Sequence, residues 1–356
     1  MTTATSITAH YEQFLDLLVR DAQDARDARD PARALAGADG RSGARARYGE
    51  RAHPSGGTQP VVLTREEWIR NQIDLTLALG RQLTEDDVVV SAVPYELSFI
   101  GAEVDRVIEM VGASVISVGT SGTICPMPRL LGLIEQYEVT ALVCSPGFAA
   151  ELAGLAVSLG KPPQDTTVRT IVCVGEACSS ERLERIGATW AARTCALYGT
   201  PSAPTVAVAC EHGALHLCDH RLRAEVRGGR RGELLLDGVP TGEAAELRPA
   251  DHRCDCGSAS RVLVPLGSMS CAVRGPDGLV TALDVERVVF GHRRLAPHFA
   301  CVLRDGTFHV TCAVSDPRAP DADAMRRAVR GGIGEALGVE AEVAVVGVQD
   351  WSTATS

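Results

Sequence analysis

The sequence has no run of apolar residues that could cross a membrane, because a spanning helix needs about 18 or more of them without interruption. It also lacks an excess of basic residues, since 35 Lys and Arg stand against 45 Asp and Glu and give a formal net charge of −10. Phosphate contacts need clustered positive charge, so we expect neither a nucleic-acid partner nor a membrane partner. Because no apolar signal segment opens the chain, we expect a protein of the reducing cytoplasm.

The chain has 12 cysteines in 356 residues. In a small secreted protein this number would indicate disulfides, but here the cysteines are scattered through hydrophobic segments of a long chain. An apolar content of 45% and a charged content of 22% are ordinary for a soluble globular enzyme. The length accommodates one main domain and a smaller one.

Cysteine and histidine are crowded into two short segments, residues 210–220 and 251–257, on either side of a predicted hairpin. Thiolates and neutral imidazoles are the ligands of a tetrahedral Zn²⁺ site. The preferred ligand set is Cys210, His216, Cys254 and Cys256. The reserve ligands are His212, Cys218 and His252. A closed set of four ligands leaves no position for a substrate, so the zinc would be structural. The alternative is a group of ordinary buried cysteines and surface histidines.

Between residues 64 and 198 short apolar strands alternate with amphipathic helices, the first of which begins with a capping box at Thr64 and Glu67. The predicted strands are 88–92, 114–118, 141–145, 170–174 and 194–198. The predicted helices are 64–79, 101–110, 127–136, 148–159 and 179–191. This alternation predicts an α/β core with parallel strands and helices on both faces, whose ligands bind at the carboxyl ends of the strands.

After residue 204 the pattern becomes β-rich, and the last 85 or so residues follow the order β-α-β-β-α-β. We therefore expect four parts. Residues 1–50 form a helix and a flexible segment, and 51–204 form the α/β core that binds nucleotide and substrate. Residues 205–270 form a β subdomain with the zinc site, and 271–356 form a small C-terminal α+β lid of ferredoxin-like type.

Several residues near the predicted strand ends have two interpretations. Glu176 is either a carboxylate facing a ligand or an acidic residue favoured by a helix N-terminus. Tyr198 either stacks on a ring or fills the sheet edge, and His53 either contacts a phosphate or faces solvent. Cys178 starts a helix, where the dipole lowers a thiol pKa, but no histidine base is near it in sequence.

The order of these elements and loops resembles the phenylacetate–CoA ligase branch of the adenylate-forming enzymes over roughly residues 48–350. The resemblance implies activation of a carboxylic acid by ATP as an acyl-adenylate, followed by transfer of the acyl group to a thiol. The family's phosphate loop, S-S-G-T-T-G-K-P, is similar to residues 54–60, which include Ser55, Gly56, Gly57 and Thr58. Its adenine loop is similar to Gly175, Glu176 and Ala177. Its Y-G-x-S-E loop is similar to the segment that begins with Tyr198, Gly199 and Thr200.

Two further motifs carry the resemblance. The family's R-T-x-D motif, whose Asp binds the ribose hydroxyls, is similar to Arg248–Asp251, which makes Asp251 the expected ribose ligand. A zinc-binding G-L-H and C-x-C-G pair of some members is similar to the segments that hold His216, Cys254 and Cys256.

The chain also departs from the family's charged residues. The phosphate loop has no Lys, Ser202 stands where the Glu that helps to hold Mg²⁺ is found, and residues 267–270 lack the Arg and the Asp pair of G-R-x-D-D. The terminal Lys has no counterpart after residue 348. Adenylyl transfer depends on neutralising charge, so each loss removes a catalytic contribution.

The leading hypothesis is an enzyme that activates a small aryl or amino acid, in secondary metabolism, and transfers it to a thiol or amine. His53, Arg65 and Glu176 are the candidates for the missing catalytic charges, with ATP or AMP, Mg²⁺ and structural zinc as cofactors. Coenzyme A or a carrier protein would be the acceptor partner, and a homodimer is an open alternative to a monomer. The competing hypotheses are a non-catalytic accessory subunit that binds nucleotide or an acyl ligand, and an ATP-independent acyl transferase.

Overall fold

A computed structural model describes residues 45–52, 58–200, 203–218, 222–249, 253–314 and 322–355. The helix predicted near residues 11–19 lies outside these ranges. So do five of the predicted site residues, which are His53, Ser55, Gly56, Gly57 and Asp251.

The described chain opens with an antiparallel hairpin of β1 (Arg45–Ala52) and β2 (Thr58–Thr64). The sequence predicted a flexible segment up to residue 50, and that prediction is wrong for β1. The polar strand β1 shows no clear apolar alternation of its own and is stabilised by pairing with β2, which is a tertiary effect.

Five parallel strands and five helices form the α/β half. The strands are β3 (Val88–Ala92), β4 (Ser114–Ser117), β5 (Ala141–Cys144), β6 (Thr170–Cys173) and β7 (Arg193–Thr200). They lie in the order β4-β3-β5-β6-β7. The helices are α1 (Arg65–Leu79), α2 (Ile100–Val111), α3 (Met127–Gln136), α4 (Pro146–Ser158) and α5 (Ser180–Trp190). The predicted parallel α/β arrangement is confirmed.

The helices cover both faces of this sheet. One buried cluster contains Leu75 and Leu79 of α1 with Val107 of α2. A second cluster contains residues of α3, α4 and α5, among them Leu152 and Trp190. The predicted capping box starts α1, because the Glu67 amide donates to Thr64 Oγ1 at 3.2 Å and the Thr64 amide donates to Glu67 Oε2 at 2.8 Å.

The β-rich half continues the same sheet beyond β7. Its strands are β8 (Ala203–Ala209), β9 (Leu215–Leu217), β10 (Ala224–Arg227), β11 (Arg231–Leu236), β12 (Val239–Leu247) and β13 (Val262–Ser268). They extend the sheet antiparallel in the order β7-β8-β9-β13-β12-β11-β10, which makes 11 strands in all. Strand β13, which joins β9 to β12, was not predicted from the sequence.

The remaining chain forms a C-terminal unit. Its elements are the hairpin β14 (Ala272–Gly275) and β15 (Gly278–Thr281), α6 (Ala282–Phe290), β16 (Leu295–Arg304), β17 (Thr307–Val314), α7 (Ala322–Leu337), β18 (Ala341–Gly347) and α8 (Trp351–Thr355). The β-α-β-β-α-β order is as predicted. Its main sheet has three strands, β16-β17-β18, within the ranges that the structure covers, because the first β segment pairs only with itself as a hairpin. The short helix α8 was not predicted.

In the part of the chain that the structure describes, no helix is both long enough and apolar enough to span a membrane.

Candidate functional site

The carboxyl ends of β5 and β6 bring two of the loops into contact. Gly175 follows β6 with φ +79°, a left-handed conformation that favours glycine and turns the chain sharply at the strand end. The next residue, Glu176, accepts a hydrogen bond at 3.2 Å from the amide of Gly147, which lies in the first turn of α4. The loop that resembles the adenine loop therefore lies at the ligand-binding edge of the parallel sheet.

Glu176 is also bound to a buried arginine that was not predicted from the sequence. Arg182 is 1% exposed in the first turn of α5, and its Nη1 donates to Glu176 Oε1 at 2.7 Å. The same Nη1 lies 3.2 Å from Glu286 Oε2 on α6. The carboxylates of Glu176 and Glu286 raise the pKa of Arg182 above its usual range, in spite of its burial. The proposed ligand-loop carboxylate is thus the exposed arm of an ion-pair network whose other two members, Arg182 and Glu286, are buried.

This network joins the core to the C-terminal unit. Arg182 Nε donates to the carbonyl of Pro297 at 3.0 Å, and the amide of Ser179 donates to Glu286 Oε1 at 2.7 Å. Burial raises the pKa of Glu286 although Arg182 opposes the shift. One turn further along α5, Arg185 Nη1 donates to the carbonyl of Arg293 at 2.7 Å. Two arginines on one helix therefore bind the C-terminal unit.

Helix α4 contacts the C-terminal unit through a glycine. A Cβ built on Gly154 would lie 2.5 Å from Val348 Cγ1 and 3.3 Å from the imidazole of His298. No larger residue fits at this position without movement of one of the two parts. Because Gly154 has no side chain, α4 packs closely against the C-terminal unit at this position.

A cleft of about 240 Å³ lies between α4 and the C-terminal unit. The core lines it with Gly147, Ala150, Glu151, Glu176 and Arg182, and the C-terminal unit lines it with His298, Phe299, Ala300, Trp351 and Thr355. His298 is 3% exposed, and its ring lies 5.1 Å from that of Trp351 in an edge-on arrangement. Burial, assisted by Arg182, lowers the pKa of His298 to about 4, so this imidazole is neutral at pH 7.

Tyr198 lies in the buried core instead of presenting an open ring. It is 8% exposed, and its hydroxyl has no hydrogen-bond partner among the described residues. Burial and the nearby charge of Glu243 raise the pKa of Tyr198 above the usual range.

Glu243 pairs across the sheet with Ser268, in the segment that lacks the Arg of the G-R-x-D-D motif. Burial raises the pKa of Glu243 to about 7. Glu243 was not predicted as a site residue, because a Glu next to Gly in a strand-and-turn region carries no distinctive signal.

Four other predicted residues lie in simpler surroundings. Arg65 begins α1 as an exposed residue and does not line the cleft. Thr58 is exposed at the start of β2, and Gly199 is exposed near the end of β7. Thr200, the last residue of β7, accepts a hydrogen bond at its hydroxyl from the Ala203 amide at 3.2 Å.

Cys178 lies two residues before α5, which begins at Ser180. Burial, followed by the charge of Glu286, raises the pKa of this thiol well above its ordinary value. The resulting neutral thiol is not a nucleophile at pH 7.

The predicted metal ligands converge. The ligand atoms of Cys210, His216, Cys254 and Cys256 all lie within 4.8 Å of one another. The sulfurs of Cys210 and Cys254 are 3.7 Å apart, close to the ~3.8 Å that two Zn–S bonds of ~2.3 Å give in a tetrahedron. His216 Nε2 lies 3.2 Å from the Cys256 sulfur, while its Nδ1 lies 3.0 Å from the carbonyl of Ser260. That carbonyl fixes the tautomer that leaves Nε2 free for a metal, so the donor set fits zinc.

The reserve ligands do not belong to this group. His212 is half-exposed and lies 3.9 Å from a carboxylate oxygen of Glu211. Cys218 is not among the four converging residues. His252 lies outside the described residues.

Comparison with known proteins gives matches to solved structures only. No protein family and no curated protein matches the chain. 2-Hydroxyisobutyryl-CoA ligase, in its postadenylation state in complex with 2-HIB-AMP, is similar at 14% identity with a TM-score of 0.71, over 85% of this chain and 70% of that one. A benzoate CoA ligase from Burkholderia xenovorans LB400 is similar at 16% identity with a TM-score of 0.62, over 87% and 66%. The amide bond synthetase McbA from Marinactinospora thermotolerans is similar at 17% identity with a TM-score of 0.55, over 83% and 66%.

By their names, two of these neighbours are CoA ligases and the third is an amide bond synthetase. At 14–17% identity, this likeness concerns the fold alone. The chain therefore shares the fold of these two CoA ligases and this amide bond synthetase.

Proposed function

We propose that the chain activates a small carboxylic acid with ATP as an acyl-adenylate and transfers the acyl group to a thiol or amine. The observation that carries the proposal is the junction of the Gly175–Ala177 loop with the first turn of α4 at the carboxyl edge of an adenylate-forming fold. Supporting it, one structural neighbour is described in complex with an acyl-AMP. An aryl or amino acid in secondary metabolism remains the proposed substrate class.

Nucleotide binding would use three segments. Asp251 would hold the ribose hydroxyls, Gly175, Glu176 and Ala177 would lie against adenine, and the Ser55–Thr58 loop would lie near the phosphates. Mg²⁺ would supply charge neutralisation at the phosphates, and it needs few protein carboxylates when phosphates and waters complete its shell. In this arrangement Glu176 is the proposed metal-side carboxylate, with Arg182 holding it in place.

The positive charge for adenylyl transfer cannot come from lysine in this chain. Its one lysine, Lys161, pairs with Glu135 at 2.6 Å. It lies beyond the C-terminal end of α4, whereas Gly147 lies at the N-terminal end, and a helix of this length spans about 20 Å. We propose that Arg65 and His53 supply the missing charge, with the planar guanidinium of Arg65 approaching the phosphates differently from an ammonium.

The same losses favour a second candidate function. A chain with Ser202 in the Mg²⁺ position and no lysine near the edge of the sheet suits an accessory subunit that binds nucleotide or an acyl ligand without reaction. An acyl transferase that does not use ATP is the third candidate. Nucleotide binding separates this last candidate from the other two.

Calorimetry with ATP and AMP tests nucleotide use. The Asp251→Ala variant removes two charge-assisted hydrogen bonds to neighbouring hydroxyls, so we expect its nucleotide affinity to fall by at least about tenfold. Asp255→Ala, four residues away in the described turn, is the matched control and should leave the affinity unchanged. Equal nucleotide affinity in wild type and Asp251→Ala would contradict the assigned role, and absence of nucleotide binding would favour the ATP-independent transferase.

We further propose that Cys210, His216, Cys254 and Cys256 bind one structural zinc ion. The donor types, the 3.7 Å sulfur separation and the orienting carbonyl of Ser260 support it. We also propose that the acceptor is coenzyme A, a carrier protein or an amine. A homodimeric assembly is a further proposal.

A further inference from the structure

The cleft between α4 and the C-terminal unit opens beside the proposed adenylate site. Two of its lining residues, Gly147 and Glu176, follow strands β5 and β6, and Glu176 belongs to the loop proposed to lie against adenine. The opposite wall belongs to β16 and α8 of the C-terminal unit. A second substrate that approaches the acyl-adenylate from the side of the C-terminal unit would therefore occupy this cleft.

The charge of the cleft is negative. Glu151 and Glu176 are both exposed, whereas Arg182, which also lines the cleft, is 2% exposed at its side chain and already shared between Glu176 and Glu286. His298 adds no positive charge at pH 7, because burial lowers its pKa to about 4. The net charge of the cleft is therefore negative, and it attracts cations and repels phosphates.

The rest of the lining is apolar and aromatic. Trp351 and Ala150 are among the lining residues, whereas the Phe299 ring packs 6.1 Å from that of Phe290 in the core of the C-terminal unit. His298 is 3% exposed, and its Nδ1 has no hydrogen-bond partner in the part of the chain that the structure describes. Aromatic faces beside carboxylates bind an ammonium group on an apolar body.

The size of the cleft also limits its occupant. Its volume of about 240 Å³ lies below the roughly 300–1,000 Å³ of sites for drug-sized ligands. A nucleotide-bearing thiol such as coenzyme A exceeds this volume and brings several phosphates towards Glu151 and Glu176. A small amine satisfies both the volume and the charge.

We propose that this cleft is the acceptor site and that the acceptor is a small primary amine, held as an ammonium ion by Glu151. The inference rests on the proposed acid activation and specifies its acceptor. In the transfer step the amine first loses one proton to a cleft carboxylate. Its nitrogen lone pair then forms the C–N bond to the acyl carbon, and the C–O bond to the adenylate phosphate breaks. AMP leaves with that electron pair, the second proton passes to solvent, and the product is an amide.

The test uses phenethylammonium and its uncharged isostere 2-phenylethanol as probes, titrated calorimetrically into the full chain without ATP. We expect the ammonium ion to bind, and the alcohol to bind at least about tenfold more weakly, because the alcohol cannot pair with the Glu151 carboxylate. Glu151→Gln should weaken ammonium binding about fivefold, the effect of losing one exposed charge pair. Glu109→Gln, an exposed carboxylate on α2 outside the cleft, should leave it unchanged.

Equal binding of the two probes, no binding of the ammonium ion, or equal effects of Glu151→Gln and Glu109→Gln would overturn the proposal. Tight binding of coenzyme A that Glu151→Gln does not alter would also overturn it. Because these titrations contain no ATP, a failure of acid activation leaves them interpretable. Charge-selective amine binding without acid activation would refute the proposed function and retain the amine site.

Discussion

Arg182 and Glu286 form a buried ion pair, with Nη1 and Oε2 3.2 Å apart and both side chains 2% exposed. One residue belongs to the α/β core and the other to the C-terminal unit. The same guanidinium binds Glu176, so the ligand-edge loop and the C-terminal unit share one buried cation.

Replacement of Arg182 by Met should destabilise the protein by about 3–5 kcal/mol, because it leaves the buried Glu286 carboxylate without its partner. Denaturant unfolding measures the change. The double variant Arg182→Met with Glu286→Leu should recover much of the loss, since it removes both charges. An equal loss in the single and double variants would contradict the ion pair as the cause.

The glycine at position 154 is expected to control docking of the C-terminal unit. Gly154→Ala introduces a methyl group about 2.5 Å from Val348 Cγ1, so we expect a loss of about 1–3 kcal/mol and faster proteolysis between the core and the C-terminal unit. Gly132→Ala on α3 is the control, because nothing lies within 4 Å of its added Cβ, and it should stabilise by up to about 1 kcal/mol. Similar effects of the two substitutions would contradict the close contact.

Sequence patterns predicted the parts of this molecule that are determined by residues close together in the sequence. Regular alternation of apolar strands and helices gave the parallel half, and Thr64 with Glu67 gave a helix start that the structure confirms. The four proposed zinc ligands were chosen by their ligand chemistry, and their ligand atoms lie within 4.8 Å of one another.

The missed features depend on contacts between distant segments. Arg182 and Glu286 are 104 positions apart, and each looks in the sequence like an ordinary charged residue on an amphipathic helix. Strand β1 and the cleft likewise arise from pairing and docking that no single segment encodes. Lining residues such as His298 and Trp351 therefore could not be selected from the sequence.

Two cysteine substitutions distinguish the chosen zinc ligands from the reserve set. Cys254→Ser should lower zinc content from one ion per chain and lower stability together, because metal binding is coupled to folding. Cys218→Ser should retain both. Elemental analysis and thermal unfolding measure the two quantities, and metal-free wild-type protein of full stability would rule out the structural zinc.

Glu243 should make stability depend on pH. Its pKa is raised from 4.5 to about 7 in the folded protein, so the folded state binds the proton more tightly than the unfolded state. Protonation of Glu243 therefore contributes fully to the stability of the folded protein below pH 4.5. This contribution to stability is lost as the pH rises through about 7. Relative to wild type, Glu243→Gln should therefore gain up to about 3 kcal/mol of stability between pH 5 and pH 8. A difference that does not vary over this range would show that Glu243 titrates normally.

The proposed acid activation is tested most directly by Mg²⁺-dependent ATP–pyrophosphate exchange across a panel of aryl and amino acids. Wild type should exchange with at least one acid, and Glu176→Gln should abolish this exchange while thermal unfolding shows an intact fold, since Arg182 keeps its partner Glu286. Glu109→Gln should exchange at the wild-type rate. Absence of exchange with every acid, in a protein that binds ATP, would contradict acid activation and assign the chain to the accessory function.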